Sequence, residues 1–339
     1  MKKTTFQFSR KATDFYFDGS IAELATLAKN RKVFVITDEN IFAKHKSKLK
    51  GFKTILLPAG EQFKTQATVD KALTELIEAG ADRKSLFIGI GGGVVTDMTG
   101  YLASVYMRGV AFGFVPTSIL AMVDAAIGGK NGIDVGLYKN MVGTINQPEF
   151  LLYDVSLLKT LPSDEWSNGF AEIIKHGCIK DASMFKQLGE HKIADYKKDA
   201  VLLSALIKRN ALIKAKVVQA DEFEQGERKL LNFGHTLGHA IENMLQIKHG
   251  EAIAIGMVAA SLFSEKLTGF KATGKIVEMF ERYGLPTNAA FEKDKAFSIL
   301  QKDKKNETAG MNYVLLEKIG KGVVKQIQNE DLKLMLEEL

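Results

Sequence analysis

A chain of 339 residues, 46% hydrophobic and 25% charged, carries enough apolar material for a buried core and exceeds the usual length of one domain, so two domains are expected. The 46 Lys and Arg exceed the 40 Asp and Glu by a net +6. The densest basic runs, around Lys44 to Lys48 and Lys302 to Lys305, are short and interrupted, without the long stripe and interleaved aromatics of a nucleic-acid binder. One cysteine, Cys178, excludes an internal disulfide and fits a reducing compartment. The charged start runs into no apolar segment, as a signal peptide would. The charge-free stretch between Arg108 and Asp124 holds Pro116 and is too short for a membrane span. The expectation is a cytoplasmic protein with neither nucleic-acid nor membrane partner, whose charge gathers small anions.

Along the chain, Val33–Ile36 and Thr54–Leu57 read as buried strands. The apolar positions Val69, Leu73, Leu76 and Ile77 repeat at helical spacing from Thr68 to Glu78, with Gly80 as the cap. A strand over Ser85–Ile90 leads through Gly91-Gly92-Gly93 into a helix reaching Tyr106, and Phe112–Val115 is a further strand closed by Pro116. Strand and helix alternating at this rhythm predict a parallel α/β sheet. After Pro162 helices dominate: Asp164–Ile179, Asp199–Asp221, His235–Leu245 and Glu251–Leu267, with one small hairpin around Gly320. The predicted organisation is a Rossmann-like α/β nucleotide domain, residues 1–160, followed by a mostly helical domain, residues 161–339, with the active site between them.

Two segments carry chemistry. Gly91-Gly92-Gly93 sits at a strand-to-helix turn, where backbone N–H groups and the helix N-terminus suit a pyrophosphate. The spacing is not G-x-G-x-x-G, and a tight structural turn reads equally well. Gly60 to Thr65 and Asp38-Glu39-Asn40 add a carboxylate past a strand end, suited to ribose hydroxyls or, as plainly, to capping a helix. The second segment runs from Arg228 to His239. His235 and His239 lie four apart on one helical face, and His249 follows where the next helix begins, so half of the six histidines fall within 15 residues. With Glu172 from another helix, two histidines and a carboxylate fit a catalytic zinc with an open position. Lys130, Lys139, Lys175 and Lys214 are each ordinary surface residues taken singly. Lys175, one turn after Glu172, would share a metal's surroundings, and cations gathered there imply an anionic substrate.

Taken together these segments resemble the 3-dehydroquinate synthase family, from about Asp38 to Gly320. The resemblance runs through Gly60-Glu61 with Lys64, Gly91 to Asp97, Tyr106-Met107-Arg108-Gly109, Pro116-Thr117-Ser118, Val123-Asp124, Gly128-Gly129-Lys130, Lys139 to Gly143, Leu161 to Gly177, Leu231 to His239, His249 to Met257 and Asp303-Lys304-Lys305. It implies a metal, zinc with cobalt as the alternative, held by Glu172, His235 and His249. NAD would meet Asp38, Asn40, Glu61, Lys64, Gly92, Gly93, Asp97, Thr117, Ser118, Lys139 and Thr160. The substrate would meet Asp124, Lys130, Asn140, Lys175, Lys214, Arg228, Asn232, His239 and Lys304, with Glu224 supporting them. Arg108 would reach the site of a neighbouring subunit in a homodimer.

Thr96, Met122, Ala125 and Asn131 to Asp134 depart from the family's usual residues without removing any of these groups. The implied reaction converts 3-deoxy-D-arabino-heptulosonate 7-phosphate, a phosphorylated sugar acid, to 3-dehydroquinate and phosphate. It proceeds by transient oxidation, phosphate elimination, re-reduction and aldol closure, within the shikimate pathway of aromatic amino acid and chorismate biosynthesis. The competing expectations are another sugar phosphate cyclase, of the epi-valiolone or deoxy-inosose type, and a metal-dependent polyol dehydrogenase.

Overall fold

The computed structural model describes residues 1–136, 138–303 and 310–339, so Lys304 lies outside the described residues. The chain forms two compact units. The first comprises Met1–Pro162 with Asp199–Phe223, and the second Ser163–Lys198 with Glu224–Leu339. The chain thus leaves the first unit after Pro162, returns at Asp199 and leaves it again after Phe223, so the helix Ala200–Ala220 belongs to the first unit.

In the first unit a seven-stranded sheet is built from β1 (Lys2–Gln7), β2 (Ala12–Phe17), β3 (Val33–Asp38), β4 (Lys53–Leu57), β5 (Leu86–Gly91) and β6 (Ala111–Pro116). A short hairpin, β7 (Lys130–Val135) with β8 (Tyr138–Ile145), stands apart, and β9 (Phe150–Leu152) completes the sheet. The order is β1-β2-β9-β6-β5-β3-β4, parallel throughout except for the antiparallel β1–β2 edge. Every residue of β5 is buried, as expected for a parallel strand covered on both faces. Its Leu86, Ile88 and Ile90 join Val35, Val115 and Leu152 in one core cluster.

The predicted strands β3 to β6 appear within a residue or two of their expected bounds. The helix Gln66–Glu78 starts at Thr65, whose hydroxyl accepts from Thr68 N–H. It ends as Gly80 predicted: that residue is left-handed at φ +71°, Gly80 N–H donates to Ile77 and Ala81 N–H donates to Leu76. β1, β2, β7, β8 and β9 were not anticipated. β1 and β8 are largely exposed strands, so neither shows the apolar run or alternation by which a buried strand is recognised.

The second unit holds the helices Ser163–Ile179, His235–Leu245 and His249–Thr268, shorter helices, and the hairpin β10 (Met311–Lys318) with β11 (Lys321–Ile327) around Gly320. All three long helices and the hairpin stand where the sequence placed them. The helices His235–Leu245 and His249–Thr268 approach through glycines. A Cβ on Gly256 would overlap the Gly234 carbonyl oxygen and meet the Gly238 amide nitrogen at 2.8 Å. Gly234 itself is left-handed, φ +79°, and sets the turn that starts the helix at His235.

In an open helical position Gly→Ala stabilises. Here Gly256→Ala is expected to destabilise by about 1–3 kcal/mol, because backbone must move to admit the methyl. A urea titration checks it; unchanged stability would show that the two helices are not in close backbone contact.

Candidate metal centre and nucleotide shelf

In the second unit the buried helix Ser163–Ile179 presents Glu172, whose side chain is 0% exposed. Its Oε1 lies 3.5 Å from Nε2 of His235 and 3.5 Å from Nε2 of His249. Its Oε2 faces the ammonium of Lys175, one turn further along the same helix. Both carboxylate oxygens are enclosed and neither accepts a well-formed hydrogen bond. Two ligand atoms on one zinc, about 2.0–2.1 Å from the metal at a tetrahedral angle, stand roughly 3.3–3.4 Å apart. The observed separations match that spacing, so the donor set fits a divalent metal.

The imidazoles are also turned for it. His235 Nδ1–H donates to the Phe233 carbonyl at 3.2 Å, and His249 Nδ1 lies 3.2 Å from Glu242 Oε2. In the neutral form of each ring the outer nitrogen carries the proton, which turns the Nε2 lone pair toward Glu172. Burial and then the Lys175 cation push His235 well below its ordinary pKa, so it stays neutral. Burial opposes a charge on His249, but the neighbouring Glu172 and Glu242 carboxylates outweigh it and raise the ring to about 9, so Nε2 would give up a proton when a metal binds.

His239 is exposed, its ring 5.2 Å from that of His235 and 6.1 Å from that of His249. Asn232 donates from Nδ2 to Glu224 Oε1 at 2.6 Å, and Glu224 holds a left-handed backbone, φ +61°. Arg228 is buried in the 3₁₀ turn Glu227–Asn232 that precedes the histidine helix. Glu242 and Asn168 were missed by the sequence reading. The available signal was a glutamate three residues after His239 and, in Asn168, an amide one turn before Glu172.

In the first unit β5 ends at Gly91, Gly92 is the N-cap, and Gly93 opens the helix to Val105. A Cβ on Gly92 would find Ser118 Oγ at 3.5 Å, and one on Gly93 would find Ala125 Cβ at 3.3 Å. The turn therefore exposes backbone beside Ser118 and the π-helical turn Ala121–Ala125, which Ser118 Oγ caps by accepting from Ala121 N–H. Thr117 is buried at the end of β6 and donates its N–H to Gly91. Asp124, in the π turn, takes two contacts from Lys214 Nζ: its carboxylate at 2.7 Å and its carbonyl at 2.8 Å.

Lys64 is buried and donates to Asp97 Oδ2 and Asn140 Oδ1, both at 2.6 Å. Asn140 N–H in turn donates to Asp134, and Asn140 is held at φ +56°. Burial disfavours the Lys64 charge, but Asp97 and Glu61 outweigh it and hold the ammonium above its ordinary value. Asp38 caps the helix Glu39–His45 by accepting from Ile41 N–H, and Asn40 is exposed in that helix's first turn. Thr160 joins the same corner: its hydroxyl lies 2.9 Å from His45 Nε2 and its carbonyl accepts from Lys44. Lys130 and Lys139 are exposed on β7 and β8. Arg108 is exposed at the far end of the helix from the glycine turn, in a run of left-handed residues: Met107 φ +48°, Arg108 φ +68° and Gly109 φ +125°. Such backbone is costly for non-glycine residues.

A parallel-sheet unit with a glycine shelf, and a helical unit with a Glu-His-His centre, together define a chain of the dehydroquinate synthase-like α/β fold. Residues 54–168 match the 3-dehydroquinate synthase N-terminal model and residues 169–306 the 3-dehydroquinate synthase C-terminal model. A 3-dehydroquinate synthase of Leptospira interrogans is 38% identical over 330 residues, covering 94% of this chain and 91% of the relative. Two solved structures share the fold at 23% identity. One is a 2-epi-5-epi-valiolone synthase from Streptomyces hygroscopicus with NAD+ and Zn2+, with TM-score 0.87 over 100% of this chain and 97% of that one. The other is a 2-deoxy-scyllo-inosose synthase with carbaglucose-6-phosphate, NAD+ and Co2+, with TM-score 0.86 over 99% of each chain. The chain belongs to the 3-dehydroquinate synthase family.

Removing Lys64 would leave Asp97 enclosed without its cation. Lys64→Ala is expected to destabilise the protein by roughly 3–5 kcal/mol at neutral pH. With Lys64 gone, burial remains the leading influence on Asp97, joined by Asp124 and opposed by Lys214, and it favours the protonated form. The fold therefore takes up a proton that the unfolded chain releases, and the deficit should narrow as pH falls toward that raised value. Denaturation at two pH values tests both parts; a deficit that stays constant on acidification would show that Asp97 is not the group left exposed to burial.

Proposed function

We propose that this protein is an NAD- and divalent-metal-dependent 3-dehydroquinate synthase, a phosphorus–oxygen lyase that converts 3-deoxy-D-arabino-heptulosonate 7-phosphate to 3-dehydroquinate and phosphate. The observation that carries the reading is the enclosed Glu172 carboxylate, with Lys175 at one oxygen and two Nε2 atoms 3.5 Å from the other. Glu172, His235 and His249 hold zinc, or cobalt in its place. Asp38, Asn40, Glu61, Lys64, Gly92, Gly93, Asp97, Thr117, Ser118, Lys139 and Thr160 serve NAD.

NAD bound there would supply a hydride acceptor and donor, and a divalent metal would supply Lewis acidity toward the substrate's hydroxyl oxygens. The chain's own residues bind and orient. Gly92 and Gly93 offer backbone N–H groups at a helix N-terminus to pyrophosphate. Lys130, Lys175, Lys214, Arg228, Lys304 and Arg108 neutralise the substrate's phosphate and carboxylate. Asp124, Asn140, Asn232 and His239 hold its hydroxyls, with Asn232 steadied by Glu224. Oxidation at one carbon acidifies the neighbouring C–H, and the departing phosphate's own oxygens can take that proton. The side chains therefore need to fix geometry and charge more than to act as a strong base.

The protein is cytoplasmic in this reading; no helix among the described residues is long and apolar enough to cross a membrane. It works as a homodimer. Val135, Tyr138, Met141, Val142 and Ile145 are exposed on the β7–β8 hairpin, which packs against the helix ending at the exposed Val105 and, just beyond it, Met107. Burying that apolar surface against a second copy brings the strained Arg108 turn to the contact.

Hydride that leaves and returns within one turnover is not consumed. Phosphate release from the heptulosonate phosphate should therefore exceed added NAD many times over without NADH accumulating. NADH rising one-for-one with product would instead identify a polyol dehydrogenase. For Arg108, mixing inactive Arg108→Ala subunits with inactive His235→Ala subunits should restore activity, because one site of the mixed dimer regains both groups. Verified subunit exchange without recovered activity would show that Arg108 does not act across the dimer.

A further inference from the structure

His249 offers its Nε2 to the metal centre, but what fixes the ring is on its other side. Nδ1 lies 3.2 Å from Oε2 of Glu242, a buried carboxylate on the helix His235–Leu245. The two imidazoles of the centre are thus treated differently. His235 rests its Nδ1–H on a neutral backbone carbonyl, that of Phe233, whereas His249 rests its own on a formal negative charge. The difference follows from where each ring starts. His235 begins a helix whose turn is already set by left-handed Gly234, so a carbonyl two residues back suffices. His249 begins the helix His249–Thr268 after a connection from the preceding helix, and its side chain remains 27% exposed.

The backbone around His249 is fastened on the side of Glu172. Asn168 Oδ1 accepts from Gly250 N–H at 2.5 Å, Asn168 Nδ2 donates to Glu165 at 3.0 Å, and Lys248 Nζ pairs with Asp164 and Glu165. These contacts place the Cα of His249 but leave the ring free to turn about its own bonds. Glu242 supplies the remaining constraint. Seven residues after His235, it stands two helical turns along on the same face. One helix therefore contributes a first ligand directly and governs a second at one remove.

We propose that Glu242 is a positioning residue of the metal centre: accepting the Nδ1–H of His249, it fixes the ring's tautomer and direction and strengthens Nε2 as a donor. This rests on the reading of Glu172, His235 and His249 as the metal ligands. A carboxylate behind a ligating imidazole contributes typically 10–100-fold in metal affinity. Glu242→Gln keeps the size of the side chain and an acceptor oxygen but removes the charge; Glu242→Ala removes the acceptor as well.

The test uses metal-free full-length protein. Zinc affinity is measured by competition with a chromophoric chelator, and the visible spectrum is recorded after loading with Co2+. Thermal midpoints are taken with and without zinc. The expected result is zinc binding weakened about 10-fold or more in Glu242→Gln and further in Glu242→Ala. The rise in midpoint on adding zinc should shrink to match, and the Co2+ bands should change in Glu242→Ala. A purely structural role would instead lower the metal-free midpoint and leave affinity and spectrum as in the parent. That outcome, or affinity within twofold of the parent in both variants, overturns the proposal. His235→Ala run in parallel separates the two levels of the argument. If it loses zinc while the Glu242 variants keep it, only the positioning role fails. If it binds zinc like the parent, the ligand assignment fails as well.

Discussion

A carboxylate with no exposure to water is the constraint on which the second unit is organised. Leaving a charge buried without compensation costs several kcal/mol, so Glu172 commits its surroundings to supply positive charge or a metal. Lys175 does so from the same helix and the two histidines from other elements. Those histidines reach it because the helices that begin at His235 and His249 pack at backbone distance through Gly234, Gly238 and Gly256. Larger residues at those positions would push the helices apart. The glycines of this unit therefore bring the two histidines to Glu172 through packing, whereas Gly92 and Gly93 of the first unit leave backbone open at a helix N-terminus.

Two ion pairs organise the first unit's polar face. Lys64 with Asp97 ties the start of the helix Gln66–Glu78 to the glycine-turn helix, and through Asn140 it reaches the β7–β8 hairpin. Lys214 with Asp124 ties the helix Ala200–Ala220 to the π turn after β6. Each pair joins residues expected to meet either nucleotide or substrate. Both cations are thus held in place by carboxylates of the chain, which limits the side-chain freedom any anion they met would cost.

The parallel sheet was legible because its strands are buried on both faces and read as unbroken apolar runs. Val33–Asp38 and Leu86–Gly91 are of this kind. The β7–β8 hairpin was not, because β8 is exposed over most of its length and the pairing of Gly132 with Gly143 is a backbone matter. The helices of the second unit, and the gathering of Glu172, His235 and His249, were legible from spacing and family resemblance together. Glu242 escaped both, because which nitrogen of His249 faces it is a property of ring orientation that spacing along a helix does not encode. Asp38 and Thr160 show the converse. Each was assigned to a ligand, and each also has local work, the one capping a helix and the other meeting His45 and Lys44.

The return of residues 199–223 to the first unit has a consequence for how the protein is made. The helix Ala200–Ala220 packs on β1, bonds from Gln219 to the Gln7 carbonyl and from Ser204 to Asp18, and carries Lys214 to Asp124. A ribosome that has released Pro162 has therefore produced every strand of the seven-stranded sheet but not the helix that covers its first edge. By the time Phe223 emerges, the helix bearing Glu172 is already outside and lacks the residues from Glu224 onward that enclose it. Neither unit can close in the order in which it is synthesised. A fragment cut at Pro162 would expose the sheet edge that the later helix covers, so the two units are inseparable in genetic terms even though each is compact in space.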